Sequence, residues 1–382
     1  MTIRRRWHIA TLAAAALIVA GCGGGTTDSP LASRVIAFGD SLTDIGTYTP
    51  ATSLTTTPGA APYFGGKFTT NTFAEYTLPA PGTQRAANTS TANVWVEWIG
   101  ARLGVPITPA EVGGGTTRRP CPSAASGLAA NCTGYAQGGA RVTVSSPGGA
   151  LPISLADQVA SHNTRSVPGF KNGFDSGDIV FVFGGNNDPL TQAALVGAAA
   201  TTPAAAVAAV QTAGTELATL VKNEILAKGA TRVAVFLLPD GSASPRFAAA
   251  DAQTKAFVAQ LFAAFNTALL TGLSGSSAQI IDSGAIFAAV RANPGSFGFT
   301  NVDSVACSAA KISAITGGQV TDGSSLFCNA SPGVPFNGLA TGASASTYLF
   351  ADGLHPTTGG HKFLADQVWG KLKEFGWVPS NL

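Results

Sequence analysis

The chain has 382 residues, of which 45% are hydrophobic and only 11% carry a charge, whereas soluble domains have about 25% charged residues. The formal net charge of +2 excludes the dense basic patch that nucleic-acid binding needs, so no nucleic-acid partner is expected. An apolar content this high, with so little net charge, also excludes intrinsic disorder.

The N-terminus has the pattern of an export signal. Three arginines at positions 4–6 precede an apolar run over residues 9–20, which is too short to span a bilayer but suits a signal peptide. The run ends in Val-Ala-Gly-Cys at residues 19–22, which resembles the bacterial lipobox, whose cysteine is lipidated. We therefore expect residues 1–21 to be a lipoprotein-type signal peptide, Cys22 to carry the lipid, and residues 22–33 to be a flexible tether. The alternative is an ordinary secretory signal in which Cys22 is incidental.

These assignments predict where the protein resides and what charge it carries there. We expect it to be exported and lipid-anchored in the bacterial envelope, at the outer membrane or cell surface, or otherwise secreted. No run of about 20 apolar residues follows Leu31, so no membrane-spanning helix is expected. Removal of residues 1–21 takes away three arginines and no acid, leaving 19 Lys and Arg against 20 Asp and Glu. The mature surface is therefore close to neutral.

The rest of the chain alternates between strand-like and helix-like segments. Continuous apolar runs predict buried parallel strands over residues 35–38, 179–183, 233–238 and 279–281. Apolar or Ala-rich stretches at helical spacing predict helices over residues 94–103, 204–228, 251–273 and 360–375. This alternation predicts a single α/β domain over residues 34–382 with a parallel central sheet. Three Gly/Thr/Ser/Pro-rich insertions, over residues 47–91, 105–133 and 296–347, are expected to shape a site.

Four cysteines remain besides Cys22, and an even number in an exported chain favours disulfides. Three pairings are open to them, of which the local one joins Cys121 with Cys132 and Cys307 with Cys328. A zinc site is disfavoured because no CxxC spacing and no neighbouring histidine accompany these cysteines. No metal is expected.

A serine that follows the first strand is the strongest candidate for chemistry. Ser41 lies in a Gly-Asp-Ser turn at the carboxyl end of that strand, where α/β proteins bind ligands. A serine needs a base to become a nucleophile. His355 precedes the last helix, and Asp352 lies three residues before it, close enough to orient its imidazole.

Two further blocks carry groups that can stabilise a developing oxyanion. Asn187 follows the strand over residues 179–183 and supplies a side-chain amide, while Gly138 and Gly139 supply unhindered backbone N–H groups. Each block alone also has a purely structural interpretation as a turn. Asp40, Asp44 and Asp188 are expected to accept hydrogen bonds from loop N–H groups, His162 to lie at the surface, and His361 to lie at a helix start.

In this order, the blocks closely resemble the GDSL family of the SGNH hydrolase superfamily, which is defined by blocks centred on Ser, Gly, Asn and His. They correspond to Ser41, Gly139, Asn187 and His355, with Asp352 at the expected spacing. The Gly-Gly-Lys-Phe-Thr run at residues 65–69 and the Leu-Pro pair at 238–239 are similar to its larger lipolytic branch. The resemblance covers residues 34–377.

The resemblance implies a three-layer α/β/α, flavodoxin-like fold and ester hydrolysis through an acyl-enzyme, without metal or cofactor. Ser41 would be the nucleophile, His355 the base and Asp352 its orienting acid. The backbone N–H groups of Ser41 and Gly139 and the Asn187 amide would form the oxyanion hole. Gly139 is chosen over Gly138 because it matches the second glycine of the family block.

Two departures from the family pattern bear on the oxyanion donors. Gly134 begins the second block where asparagine is frequent, and the strand-end block has a doubled asparagine at residues 186–187.

The sequence contains no Gly-x-Ser-x-Gly motif, which is the nucleophile turn of α/β-hydrolases. Its absence argues against the α/β-hydrolase class of serine hydrolases.

The expected function is that of an exported serine carboxylic-ester hydrolase, a lipase or esterase that cleaves acyl esters such as lipids or lysophospholipids. A polysaccharide O-acetylesterase or an acyltransferase would use the same site. A non-catalytic surface-binding protein on a hydrolase scaffold is the alternative from another class. The expected partners are a small-molecule or lipid ester and, through the anchor, a membrane; the protein is expected to be a monomer.

Overall fold

The computed structural model describes residues 31–49, 66–72, 90–331 and 337–382. The predicted signal peptide, Cys22 and most of the predicted tether therefore lie outside the described residues, as does most of the first insertion. The strands, in chain order, are β1 Val35–Gly39, β2 Glu111–Gly114, β3 Thr117–Pro120, β4 Ile179–Phe183, β5 Val233–Leu237, β6 Gln279–Asp282, β7 Asn301–Val305 and β8 Tyr348–Phe350. The helices are α1 Trp95–Leu103, α2 Leu155–Thr164, α3 Asn187–Gly197, α4 Pro203–Leu220, α5 Ala252–Leu273, α6 Ser283–Ala292, α7 Ala309–Ile315 and α8 Thr358–Glu374.

The main sheet is parallel, with the strand order β1-β4-β5-β6. An irregular segment, residues 133–137, extends it beyond β1. There the Tyr135 N–H donates to the Ala37 carbonyl at 2.7 Å, and the Gln137 N–H donates to the Gly39 carbonyl at 3.1 Å. This pairing brings the glycines that follow Gln137 beside the turn that follows β1.

Helices cover both faces of this sheet. Side chains that alternate along the strands fall into two buried clusters, as the pleat requires. One cluster holds residues of α1, α6 and α8, including Trp95, Ile286 and Leu364. The other holds residues of α2, α4 and α5, including Leu217 and Phe265. The architecture is three-layer α/β/α, so the predicted fold class is confirmed.

The predicted strands and helices are present, with their ends shifted by only a few residues, and α4 continues through a π-helical turn, Val221–Leu226. The predictions missed α2, α3 and α6, which have 10 or 11 residues each and are shorter than α4, α5 and α8. The insertions at 105–133 and 296–347 contain regular structure that was not predicted: the antiparallel hairpin β2–β3 in the first, and β7 and α7 in the second. Strand β7 pairs in parallel with β8.

Two helices are apolar enough to merit a comment. Pro203–Leu226 and Ala252–Leu273 have the length and composition of a membrane-spanning helix. The sequence analysis had expected no such segment. Both contribute buried residues, among them Val210 and Leu261, to the cluster on one face of the sheet. This is the packing of core helices.

The four cysteines form the two local disulfides. Cys121 and Cys132 have their Cα atoms 5.3 Å apart, and Cys307 and Cys328 have theirs 5.9 Å apart. All four are buried. Each bond closes a loop of a predicted insertion.

The expectation for His162 is wrong, because this residue is fully buried. Its Nδ1 lies 3.2 Å from the Tyr135 hydroxyl and its Nε2 lies 2.9 Å from the Gly173 carbonyl. Burial lowers the pKa of His162 to about 4, so the ring stays neutral near pH 7. His361, expected at a helix start, lies in the first turns of α8 and is also fully buried.

Gly39, the last residue of β1, is predicted to be intolerant of any side chain. A Cβ there would lie 2.0 Å from the Phe183 carbonyl oxygen of β4, so Gly39→Ala must displace one strand from the other. We expect the free energy of unfolding to fall by about 1–3 kcal/mol. Gly370→Ala is the control, because a Cβ at this position in α8 meets nothing within 4 Å, and helix propensity predicts a gain of up to about 1 kcal/mol. Denaturant unfolding measures both, and equal stability of the two variants would contradict the prediction.

Candidate active site

Ser41 lies in the turn that follows β1, and the buried Asp40 carboxylate holds that turn. Asp40 Oδ1 accepts from the Leu42 N–H at 3.2 Å, and Oδ2 accepts from the backbone N–H and side-chain amide of Asn186 at 3.1 and 2.9 Å. Burial raises the pKa of Asp40, although these donors oppose the shift. Asp40 therefore fastens the serine turn to the connection between β4 and α3, which is the structural role expected for it.

Ser41, His355 and Asp352 form one hydrogen-bonded row. Ser41 Oγ lies 2.8 Å from His355 Nε2, and His355 Nδ1 lies 2.8 and 2.9 Å from the two carboxylate oxygens of Asp352. A carboxylate acceptor places the proton of a neutral imidazole on Nδ1 and leaves Nε2 free to accept from the serine hydroxyl.

The surroundings of Asp352 stabilise its ionised form. Burial opposes its ionisation, but the His355 imidazole and neighbouring donors outweigh that cost and hold the pKa of Asp352 below its usual range. The backbone N–H groups of Leu354 and His355 donate to Oδ1 at 3.0 and 2.8 Å, and the Ser325 N–H donates to Oδ2 at 2.9 Å. Ser325 belongs to the loop that the Cys307–Cys328 disulfide closes.

The two glycines of the second block have different partners. The Gly138 N–H donates to Asp44 Oδ2 at 2.9 Å and is not free to bind a substrate. Gly139 lines the cavity beside Ser41 and has a φ of +84°, a conformation that favours glycine. Among the described residues, the backbone N–H groups of Ser41 and Gly139 donate to no acceptor. These two donors are therefore available to an oxyanion.

The two adjacent asparagines, Asn186 and Asn187, have different partners. Asn186 donates to Asp40, as described, whereas Asn187 Nδ2 donates to the Ala140 carbonyl at 2.9 Å. An amide carries two N–H groups, so Asn187 keeps one for another acceptor, and it lines the cavity. The extra asparagine thus serves the serine turn and takes no donor away from the site.

Buried acids fix the loop that contains Gly139. Asp188 accepts from Arg141 Nε at 2.9 Å and from the Val142 N–H at 3.1 Å. Asp44 accepts from the N–H groups of Gly46 and Thr47 at 2.9 and 2.8 Å, in addition to that of Gly138. Both carboxyl groups have pKa values raised by burial. The sequence did not reveal that Arg141 would be the partner of Asp188.

A cavity of about 470 Å³ opens beside the serine. It extends from the triad towards α3, α5 and α6, and its wall is largely apolar. The apolar residues of the wall are Leu42, Phe68, Leu190, Ala194, Pro239, Ala243, Phe262, Phe287, Phe350 and Leu354. Asp240, Arg246 and Arg291 are its charged members, and His355 also lines it. Within the described ranges, no cluster of three or more His, Cys, Asp and Glu side chains could hold a metal ion.

Comparisons with known proteins identify the family of the chain. Among 26 matching chains of solved structure is a carbohydrate acetylesterase from Sinorhizobium meliloti, which is 12% identical, with a TM-score of 0.36 over 90% of this chain and 99% of that one. No curated protein sequence matches the chain. The model of the GDSL-like lipase/acylhydrolase family matches residues 35–368. Since that match spans most of the chain, the chain belongs to the GDSL-like lipase/acylhydrolase family.

Proposed function

We propose that the protein is an exported serine ester hydrolase that cleaves acyl esters through an acyl-enzyme on Ser41. The observation that carries the proposal is the 2.8 Å contact between Ser41 Oγ and His355 Nε2, with Asp352 on the other ring nitrogen. A nucleophile, its base and an orienting acid in this geometry are the requirements of serine catalysis.

The reaction proceeds in two transfers. Ser41 Oγ attacks the ester carbonyl carbon while its proton passes to His355 Nε2, and Asp352 stabilises the resulting imidazolium. The tetrahedral intermediate then expels the alcohol, which takes the proton from His355. Water attacks the acyl-enzyme in the same way, giving its proton to His355 and releasing the carboxylic acid and the serine hydroxyl.

The negative charge of each intermediate requires donors already in place. Within the part of the chain that the structure describes, the Ser41 and Gly139 N–H groups and the second N–H of Asn187 have no acceptor, and the three residues line the same cavity. Pre-organised donors lower such a barrier because they need no reorganisation as the charge develops, and one donor contributes roughly 3 kcal/mol.

The cavity favours an acyl group longer than acetyl. Its volume of about 470 Å³ is within the range of sites that enclose small organic molecules, and an acetyl group would leave most of the apolar wall in contact with water. Burial of each further methylene group contributes about 0.8 kcal/mol. We therefore propose esters of medium-chain or longer acids as the substrate class. Transfer of the acyl group to another alcohol instead of water would make the protein an acyltransferase.

Replacement of the nucleophile tests the mechanism. Ser41→Ala removes the attacking oxygen, so kcat for p-nitrophenyl acyl esters should fall by a factor of about 10⁴ or more. Ser242→Ala is the control, because Ser242 lies outside both the triad and the cavity wall. The Ser242→Ala variant should have the activity of the wild-type protein. Unaltered turnover by a folded Ser41→Ala variant, or no turnover by wild type on any acyl ester, would contradict the proposal.

A chain-length series tests the acyl pocket. We expect kcat/KM for p-nitrophenyl esters to rise from acetyl to octanoyl. Ala194 is an exposed residue of α3 that lines the cavity, so Ala194→Trp should fill the pocket and reduce activity on octanoyl more than on acetyl. Ala208→Trp, on the exposed side of α4 and away from the cavity, should leave the profile unchanged. A wild-type preference for acetyl would instead favour the polysaccharide O-acetylesterase.

We further propose that the protein is lipid-anchored through Cys22, on the basis of the lipobox-like sequence at residues 19–22. Metabolic labelling with palmitate should mark the wild-type protein, whereas Cys22→Ser should remain unlabelled. An unlabelled wild type whose mature N-terminus lies elsewhere would point to the ordinary secretory signal.

A further inference from the structure

Phe68, besides lining the cavity, lies against the imidazole ring of His355. The Phe68 and His355 rings have their centroids 4.8 Å apart and are tilted by 39°. The same ring lies close to the oxyanion loop, since a Cβ on Gly138 would lie 2.1 Å from Phe68 Cζ. Phe68 therefore fills the space between the imidazole and the loop that supplies Gly139.

The backbone of Phe68 is held by His361. The Trp95 N–H lies 3.4 Å from His361 Nδ1, and His361 Nε2 lies 3.3 Å from the Phe68 carbonyl oxygen. Because a backbone N–H only donates, Nδ1 must accept, and the ring proton is on Nε2, where it donates to Phe68. Burial lowers the pKa of His361 to about 3, so this neutral tautomer persists at ordinary pH.

Other contacts fasten the rest of the segment over residues 66–72. Asn71 Oδ1 accepts from the Lys67 N–H at 2.8 Å, and Asn71 Nδ2 donates to the Ser325 carbonyl at 2.8 Å. Thr70 Oγ1 accepts from the Thr358 N–H at 3.0 Å at the start of α8. The buried Lys67 pairs with Glu97 at 2.6 Å. A segment held at both ends offers its aromatic ring at a fixed position.

We propose that Phe68, held through its carbonyl by His361, is a positioning residue of the reaction that fixes the His355 ring and stabilises it when it carries the serine proton. This inference rests on the proposed function, because it assigns Phe68 a part in the proton transfer that the mechanism requires.

The stabilisation comes from the electrostatics of the aromatic ring. A cation that lies over the face of an aromatic ring, within about 6 Å of its centroid, is attracted by the negative charge of that face. Neutral His355 lacks this attraction, whereas the imidazolium gains it. The interaction therefore strengthens as the transition state develops, which is the condition for raising kcat.

Several ionisable groups of the described residues lie near the two histidines. Asp352 contacts His355 directly, and Asp40 and His361 act on it through space from the serine turn and from α8. Lys67, which pairs with Glu97, also acts on His361.

The main test replaces the ring and follows the pH profile. Phe68→Leu keeps an apolar side chain without a π-system, so kcat on p-nitrophenyl octanoate should fall by about 3- to 30-fold, whatever change in KM follows from the place of Phe68 in the cavity wall. The midpoint of the acid limb of kcat/KM should move to lower pH, because the imidazolium loses a stabilising partner. A ring-fluorinated phenylalanine at position 68 keeps the shape but weakens the negative face, and should move the midpoint in the same direction. An acid limb unmoved in both variants would overturn the proposal.

The link to His361 is tested by a double-mutant cycle. His361→Gln retains an acceptor for Trp95 and a donor for Phe68, and should stay close to wild type. His361→Leu removes both and should reproduce the kinetics of Phe68→Leu. The double variant Phe68→Leu/His361→Leu should lose no more than either single variant. Fully additive losses would show that His361 does not act through Phe68.

Ser41→Ala distinguishes failure of the proposed function from failure of the proposed role of Phe68. Activity in folded Ser41→Ala would overturn the proposed function. An inactive Ser41→Ala, together with a wild-type kcat and pH profile for Phe68→Leu, would overturn only the role of Phe68.

Discussion

The hydrogen bond between Ser41 and His355 joins residues 314 positions apart in the chain, and the rest of the structure is arranged around it. The parallel sheet places the serine turn, residues 133–137 and the start of α3 at one edge, because the carboxyl ends of parallel strands lie together. The histidine comes from outside that sheet, on a loop that follows β8. The loop is tied back by the Ala351 N–H, which donates to the His355 carbonyl at 2.7 Å, and by the Arg246 N–H, which donates to Gly353 at 2.9 Å.

Four buried carboxylates hold the loops of the site in place. Their pKa values distinguish the three that bind loop N–H groups from the one that also binds His355. Asp40, Asp44 and Asp188 each hold a loop through backbone N–H groups, and burial raises their pKa values. Asp352 is buried too, yet its pKa is lowered because it also faces His355. A buried charge persists only when it is paired and hydrogen-bonded. The acid with an imidazole partner keeps its charge most firmly.

Local sequence signals predicted the strands and the candidate triad, because β1 and β4 are continuous apolar runs and Asp352 lies three residues before His355. The sequence could not show the partners that distant segments supply. Phe68 meets His355, and Ser325 meets Asp352, only after the insertions have folded across the sheet. His162 was expected at the surface, and no local pattern in the sequence indicates its burial. Its burial follows from tertiary contacts with Tyr135 and Gly173.

In the proposed mechanism, the nucleophile Ser41 and its base His355 lie near opposite ends of the family match over residues 35–368, which has a consequence for biosynthesis. Until the last strand and the loop after it have been synthesised, Ser41 has no partner that could take its proton. A serine hydroxyl without a base is no more reactive than an ordinary alcohol. In the proposed mechanism, a nascent or truncated chain that lacks the His355 loop therefore has no activated serine.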